Sequence, residues 1–332
     1  MQPVPKFAVY AILIILFCAG CTEKKTHKEH ASDGKIRIIT TLFPLYDYAR
    51  SIAGDKGKVT LLLPPGMEPH GFEPKPDDII RISESDLFIY ANRYMEPWAE
   101  TIVKGVDRGK LRIVDAGQGA AYQRIVVDNH GSQGHLDTSM EKIKPKLEDH
   151  DHAGGLDPHI WLDFGNAALI VDNILTGFIA ADPSNSAYYR SNAATLKARL
   201  ADLDTHYRNG LSTCGTRVFL HGGHYTFGYL ARRYGLEYHA LSGISSESEP
   251  SAIRMAAMVK QIRQSGVHYL FAEELLSPRL TETLASETGV SVLKLHGAHN
   301  LGRDDFQRGA TFIGLMEENL KVLQKGLACR TK

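Results

Sequence analysis

The chain has 332 residues, with 38 Lys and Arg set against 38 Asp and Glu. A formal charge of zero supplies no basic face for nucleic acid or for an anionic membrane surface, and so argues against partners recognised mainly through phosphate. The length exceeds what a single core comfortably organises and predicts two domains.

Residues 1–20 read as an export signal. Lys6 precedes an apolar run from Phe7 to Phe17, and Leu16-Phe17-Cys18-Ala19-Gly20-Cys21 closes it with small residues before a cysteine. A positive start, an apolar middle and a small-residue cleavage point mark a secretory signal, and the run is short for a membrane span. The small-small-Cys ending is that of a bacterial lipoprotein signal, which makes Cys21 the expected lipidated first residue. An uncleaved anchor helix is the other reading; either one exports the protein and ties it to a membrane. Loss of Lys6 leaves 37 basic and 38 acidic residues, still close to neutral. Residues 21–34 are polar and read as a tether.

Short apolar runs then alternate with helical patterns. Ile36 to Leu42, Val59 to Leu63, Leu87 to Ala91 and Arg112 to Val114 read as buried strands; Tyr46 to Ile52, Pro76 to Ser83 and Pro97 to Val106 have helical spacing. Residues 117–157 interrupt the alternation with Gly, Asp, Lys and His, including His130, His135, His150 and His152, and read as a long exposed loop. A helix pattern resumes from Asn166 to Ala181, and Asp182-Pro183-Ser184 opens another that continues to Leu211. Its apolar residues Tyr188, Ala193, Leu196, Leu200, Leu203 and Tyr207 recur at helical steps, and a helix of that length is a stiff connector. Strands follow at Arg217 to Leu220, Leu236 to Leu241, Tyr269 to Ala272 and Val290 to Leu295, with helices at Phe227 to Tyr234, Ser251 to Ser265, Pro278 to Thr288 and Gly309 to Gly326.

The expected fold is therefore α/β, with two similar lobes, each a mostly parallel sheet flanked by helices. Residues 35–182 form the first lobe, 183–212 the connecting helix and 213–332 the second lobe. Cys214 and Cys329 remain after the signal; export permits a disulfide between them, and two separate thiols are the alternative.

Four histidines stand out. His70 lies in Pro64-Pro65-Gly66-Met67-Glu68-Pro69-His70-Gly71-Phe72-Glu73-Pro74, and His159 in Asp157-Pro158-His159-Ile160-Trp161-Leu162-Asp163, where proline stiffens the backbone beside the imidazole. His224 and His296 follow strand-like runs in the second half. All four fall beyond the carboxyl ends of strands, where open parallel sheets bind ligands, and two lie in each half, so they can meet only in the cleft between lobes. Neutral imidazoles suit zinc, and four of them complete a tetrahedral shell with no position left for an activated water. His221 reads as a packed core histidine, His299 competes with His296, and Asp304 and Asp305 read as a helix start.

With these segments the chain resembles the zinc/manganese-type substrate-binding lipoproteins of bacterial ABC transporters. The resemblance covers nearly all of residues 36–328. It rests on the two proline-framed segments, on Pro76-Asp77-Asp78, and on His224-Tyr225-Thr226-Phe227-Gly228-Tyr229 with Arg233-Tyr234-Gly235-Leu236. Ile244-Ser245, Glu249-Pro250-Ser251, Phe271-Ala272-Glu273-Glu274 and Asn319-Leu320 match further elements.

The resemblance implies that His70, His159 and His224 are metal ligands. Manganese-selective members carry an acidic residue where this chain has His224, so zinc is the implied ion. Many members place Asp at the fourth position, where this chain reads Lys294-Leu295-His296. His296 is assigned there, with His299, Asp or water as substitutes. The implied function is extracytoplasmic capture of Zn²⁺ and delivery to a membrane permease by a monomeric, lipid-anchored protein that is not an enzyme and binds no nucleic acid. The loop histidines would gather metal weakly. A stiff connector implies small lobe tilts, and imidazoles of ordinary pKa imply affinity that falls below about pH 6.5. The alternatives are the same role for Mn²⁺ or Fe²⁺, an exported zinc hydrolase with Glu68 or Glu247 as base, and a zinc-binding adhesin or chaperone.

Overall fold

A strand covered by helices on both faces must be apolar at successive positions, and the inner strands Leu87–Tyr90, Val218–His221 and Tyr269–Glu273 come closest to that demand. The computed structural model describes residues 34–106, 109–125, 155–244 and 250–330. Strands β1 (Ile36–Thr40), β2 (Gly57–Leu61), β3 (Leu87–Tyr90) and β4 (Arg112–Asp115) form a parallel sheet in the order β2-β1-β3-β4. Strands β5 (Val218–His221), β6 (Glu237–Ala240), β7 (Tyr269–Glu273) and β8 (Ser291–Leu295) repeat it as β6-β5-β7-β8.

Helices α1 (Phe43–Ala53), α2 (Pro76–Ser83), α3 (Pro97–Gly105) and α4 (Phe164–Ala181) accompany the first sheet, and α5 (Ser186–Gly210) follows them. The second sheet carries α6 (Gly228–Tyr234), α7 (Ala252–Ser265), α8 (Arg279–Thr288), α9 (Arg303–Gln307) and α10 (Phe312–Gly326). Asp304 and Asp305 stand in the first turn of α9. The single helix expected from Gly309 is divided: Gly309 takes a left-handed φ of 73°, and Thr311 then caps α10 by accepting the N–H of Gly314 at 3.1 Å.

Side-chain alternation along the strands sorts the core into layers. Ile38, Leu87 and Ile89 point to one face of the first sheet, while Ile39, Phe88 and Tyr90 pack on the other with Ile82, Ala99 and Ile102. In the second sheet Phe219 and Phe271 face inward, and Leu220 and Leu270 face Met258, Ile262 and Leu284. The inward faces of both sheets belong to one apolar cluster that runs through α4, α5 and α10. Helix α4 is long and apolar enough to cross a membrane by those two criteria, yet Phe164, Ala167, Ile170, Val171, Ile174 and Phe178 are buried in this cluster.

The buried stripe of α5 is Tyr189, Ala193, Leu196, Leu200, Leu203 and Tyr207. Tyr189 therefore replaces Tyr188 of the sequence expectation; Tyr188 is 37% exposed, because only Tyr189 keeps the alternating steps of four and three that hold one helix face. At about 1.5 Å per residue α5 is roughly 38 Å long. It is fastened to both halves: Asn192 Nδ2 donates to Ile52 O of α1 at 3.0 Å, and Tyr207 O–H donates to Met316 O of α10 at 2.6 Å.

Cys214 and Cys329 are joined by a disulfide and also form an antiparallel bridge, so the end of the chain is stapled beside the start of β5. The bond closes a sequence separation of 115 residues. Removing it with Cys329→Ser is expected to lower the unfolding free energy by about 2–4 kcal/mol, read from urea unfolding of the metal-free protein.

Candidate metal centre

The segments carrying His70 and His224 follow β2 and β5, that carrying His159 leads into α4, and the His70 and His159 segments are tied down by the opposite half of the protein. Gly66 takes a left-handed φ of 87°, which turns the Pro64-Pro65 segment so that its N–H donates to Leu301 O at 2.6 Å. Asn300 Nδ2 donates to Pro64 O at 2.8 Å and Met67 O at 2.7 Å. The His159 turn is held by Asn92 Nδ2 on Pro158 O at 3.1 Å, by Tyr229 O–H on Asp157 O at 3.1 Å, and by Trp161 Nε1 on Gly297 O at 2.9 Å.

These segments bring three imidazoles to one point. His70 Nε2 and His224 Nε2 each lie 3.3 Å from His159 Nε2, and one nitrogen of each ring falls within 4.8 Å of the others. His159 and His224 are 0% and 1% exposed, and His70 is partly buried at the mouth.

Carboxylates stand behind the buried rings. Asp157 Oδ1 accepts from His159 Nδ1 at 2.8 Å and from its backbone N–H at 3.0 Å. Glu273 Oε1 accepts the backbone N–H of His224 at 2.8 Å, and its Oε2 lies 2.8 Å from His224 Nδ1. Placing the Nδ1 proton on the carboxylate side leaves each Nε2 lone pair directed at the shared point, the arrangement that outer carboxylates impose on metal-binding histidines. Thr226 Oγ1 lies 2.9 Å from His224 Nε2. Glycine is required at Gly223, where a Cβ would collide with the Glu273 carboxylate.

Burial dominates the titration of the trio. It pushes His70 and His224 down to about 3, helped by the positive charge of neighbouring histidines, and drives His159 well below the ordinary imidazole range. Burial likewise raises Asp157 well above the usual carboxylate range and Glu273 to about 7.

The fourth histidine beside this trio is His299, not His296. The His299 ring is 5.8 Å from that of His224, 6.2 Å from His159 and 6.5 Å from His70, centroid to centroid. His296 is turned aside: Asn319 of α10 accepts its N–H and donates to its carbonyl, both at 2.8 Å, and its Nδ1 lies 3.7 Å from Glu274 Oε1. Between the two, Ala298 takes a left-handed φ of 58°, a conformation costing a non-glycine residue about 1–2 kcal/mol. That bend delivers the second histidine of His296-Gly297-Ala298-His299 to the cluster. His299 is 1% exposed with its Nε2 3.8 Å from Glu68 Oε2. Burial opposes its protonation, but Glu68, Glu274 and Glu273 outweigh that and raise it to about 9.

His221 is a buried core residue whose Nδ1 lies 3.0 Å from the Tyr238 hydroxyl. Cys21, Glu247 and the loop histidines His130, His135, His150 and His152 lie outside the described residues. Asp157 and Glu273 carried no role in the sequence; what marked them locally was an acid two residues before His159 and an acid ending a strand-like apolar run. Asn92, Thr226 and Asn300 carried no such mark.

A family model described as Zinc-uptake complex component A, periplasmic, matches residues 38–326. This chain belongs to that family. It is 31% identical over 325 residues to the high-affinity zinc uptake system protein ZnuA of Bacillus subtilis, covering 98% of each chain. It is 32% identical to the zinc-binding lipoprotein AdcA of Streptococcus pneumoniae, covering 95% of this chain but 59% of that longer protein. The crystal structure of the Zn(II)-bound ZnuA-like domain of S. pneumoniae AdcA superposes with a TM-score of 0.70 at 31% identity, covering 89% of this chain and 99% of that one.

Asp157→Ala is expected to leave the His159 ring unoriented and to weaken zinc binding by about 10–100-fold, measured by competition with a calibrated chelator.

Proposed function

We propose that this protein captures Zn²⁺ outside the cytoplasm and hands it to the permease of an ABC transporter. The observation that carries this reading is the convergence of three Nε2 atoms from two halves of the chain, two of them backed by buried carboxylates. Zinc is the cargo. His70, His159 and His224 are its ligands, and His299 is the nearest candidate for the fourth, in place of His296. An all-nitrogen donor set favours zinc over manganese, which prefers oxygen. The names of the relatives support the same assignment. In this reading residues 35–182 and 213–332 are the lobes, 183–212 connects them, and a lipid on Cys21 holds the monomer at the membrane. A hydrolase would need a carboxylate free to take a proton from metal-bound water; Glu68 is instead engaged with His299.

Metal analysis of the purified protein should give one zinc per chain, and a competition titration should rank zinc above manganese; preference for manganese at equal concentration overturns the assignment. His224→Ala should weaken binding by more than the ten- to hundredfold expected of an outer partner. Deleting residues 130–152 should preserve stoichiometric binding.

The pH dependence differs from that of ordinary imidazoles. His70 and His224, pushed down to about 3, are already neutral at neutral pH and compete little with the metal. His299 is protonated up to about 9 in the free protein, and a nitrogen that binds metal must lose that proton. Affinity should therefore rise with pH towards 9, by at most about tenfold per unit, and fall below it. His299→Ala should flatten that slope, as read from chelator competition between pH 7 and 9.

A further inference from the structure

Two residues from motifs that the histidine cluster does not use bond to each other. Asp163 closes the short turn Ile160–Leu162 that begins directly after His159, and it caps α4 by accepting the N–H groups of Gly165 at 2.7 Å and Asn166 at 3.1 Å. Arg233 stands on α6, the helix that begins just past the His224 segment. Arg233 Nη1 donates to Asp163 Oδ1 at 2.8 Å. The other edge of the same guanidinium grips α5: Nε and Nη2 donate to Asp204 Oδ1 and Oδ2, both at 2.8 Å. Asp204 also accepts the hydroxyl of Tyr234 at 2.7 Å.

We infer that Arg233 is a positioning residue that locks the two ligand-bearing segments together and sets how long the site retains its metal. The geometry supports this in three ways. A planar guanidinium forked onto one carboxylate has a fixed direction for its remaining donor, so the Asp163 bond specifies an angle as well as a distance. The side chains of Arg233, Asp163 and Asp204 are only 19%, 15% and 17% exposed, which sets the group apart from freely solvated surface pairs. Finally, His159 is fully buried and held by Asp157, so its ring cannot swing out alone. Releasing a metal held by His159 and His224 then requires the two segments to separate, and that motion pulls Asp163 away from Arg233.

The inference rests on His70, His159 and His224 being the zinc ligands. Full-length protein loaded with one Zn²⁺ is mixed with excess chelator, and dissociation is followed by stopped flow. Arg233→Met is expected to speed dissociation about tenfold, with association changed less than about twofold. Asp163→Ser keeps an N-cap but cannot reach Arg233, and should do the same. The double variant should be no faster than either single one, as a shared contact requires. Arg233→Lys should restore only part of the retention, because an ammonium cannot span both carboxylates. Dissociation unchanged in both single variants, even with a lowered melting temperature, would overturn the proposal, as would effects that simply multiply. His224→Ala separates the two levels: if it retains full zinc affinity, the ligand assignment fails whatever Arg233 does.

Discussion

Three imidazole rings that point their nitrogens at one another in a site sheltered from water can coexist only as neutral bases. Protonating one of them would place a charge in a poorly solvated site against two electron-rich neighbours. Much of the centre follows from that constraint. Lone pairs turn towards the shared point only if the rings are oriented from behind, and Asp157 and Glu273 stand where they can do so. Beside the trio, Glu68 and the neighbouring carboxylates shift His299 the opposite way, towards its protonated form. A cation entering the centre meets lone pairs that are already aligned, so little reorganisation is needed for binding.

Such a centre also constrains the fold around it. Its three imidazoles come from both halves, so any slack between the sheets would appear as slack in the nitrogen positions. The two inward faces are accordingly fused into one apolar cluster through α4, α5 and α10, and α5 is hydrogen-bonded near both ends to a different half. Polar ties across the cleft, such as Asn300 on Pro64 and Met67 and Trp161 on Gly297, act on the ligand segments themselves. The Arg233 group adds a directional bond on the same principle.

Much of this was legible from sequence because it is local. Strand runs such as Leu87 to Tyr90 are apolar at successive positions, and proline beside His70 and His159 announces a stiffened backbone. Tyr189 rather than Tyr188 holds the buried face of α5 because it alone keeps the steps of four and three, a spacing already present in the sequence. For the last histidine a neighbour distant in sequence matters more. His296 and His299 flank the same short turn, and Asn319 together with the left-handed Ala298 sends one of them away from the centre.

The sequence by itself determined the alternation of strands and helices, the two-lobe architecture and the three histidines beyond strand ends, because each depends on side-chain periodicity or on backbone stiffness over a few residues. Only the tertiary structure decided which further histidine stands beside the trio, which carboxylates stand behind the imidazoles, and how burial shifts their titration. Those are set by distances between segments far apart in the chain and by the exclusion of water that their packing creates, and neither quantity is written in any local stretch of residues.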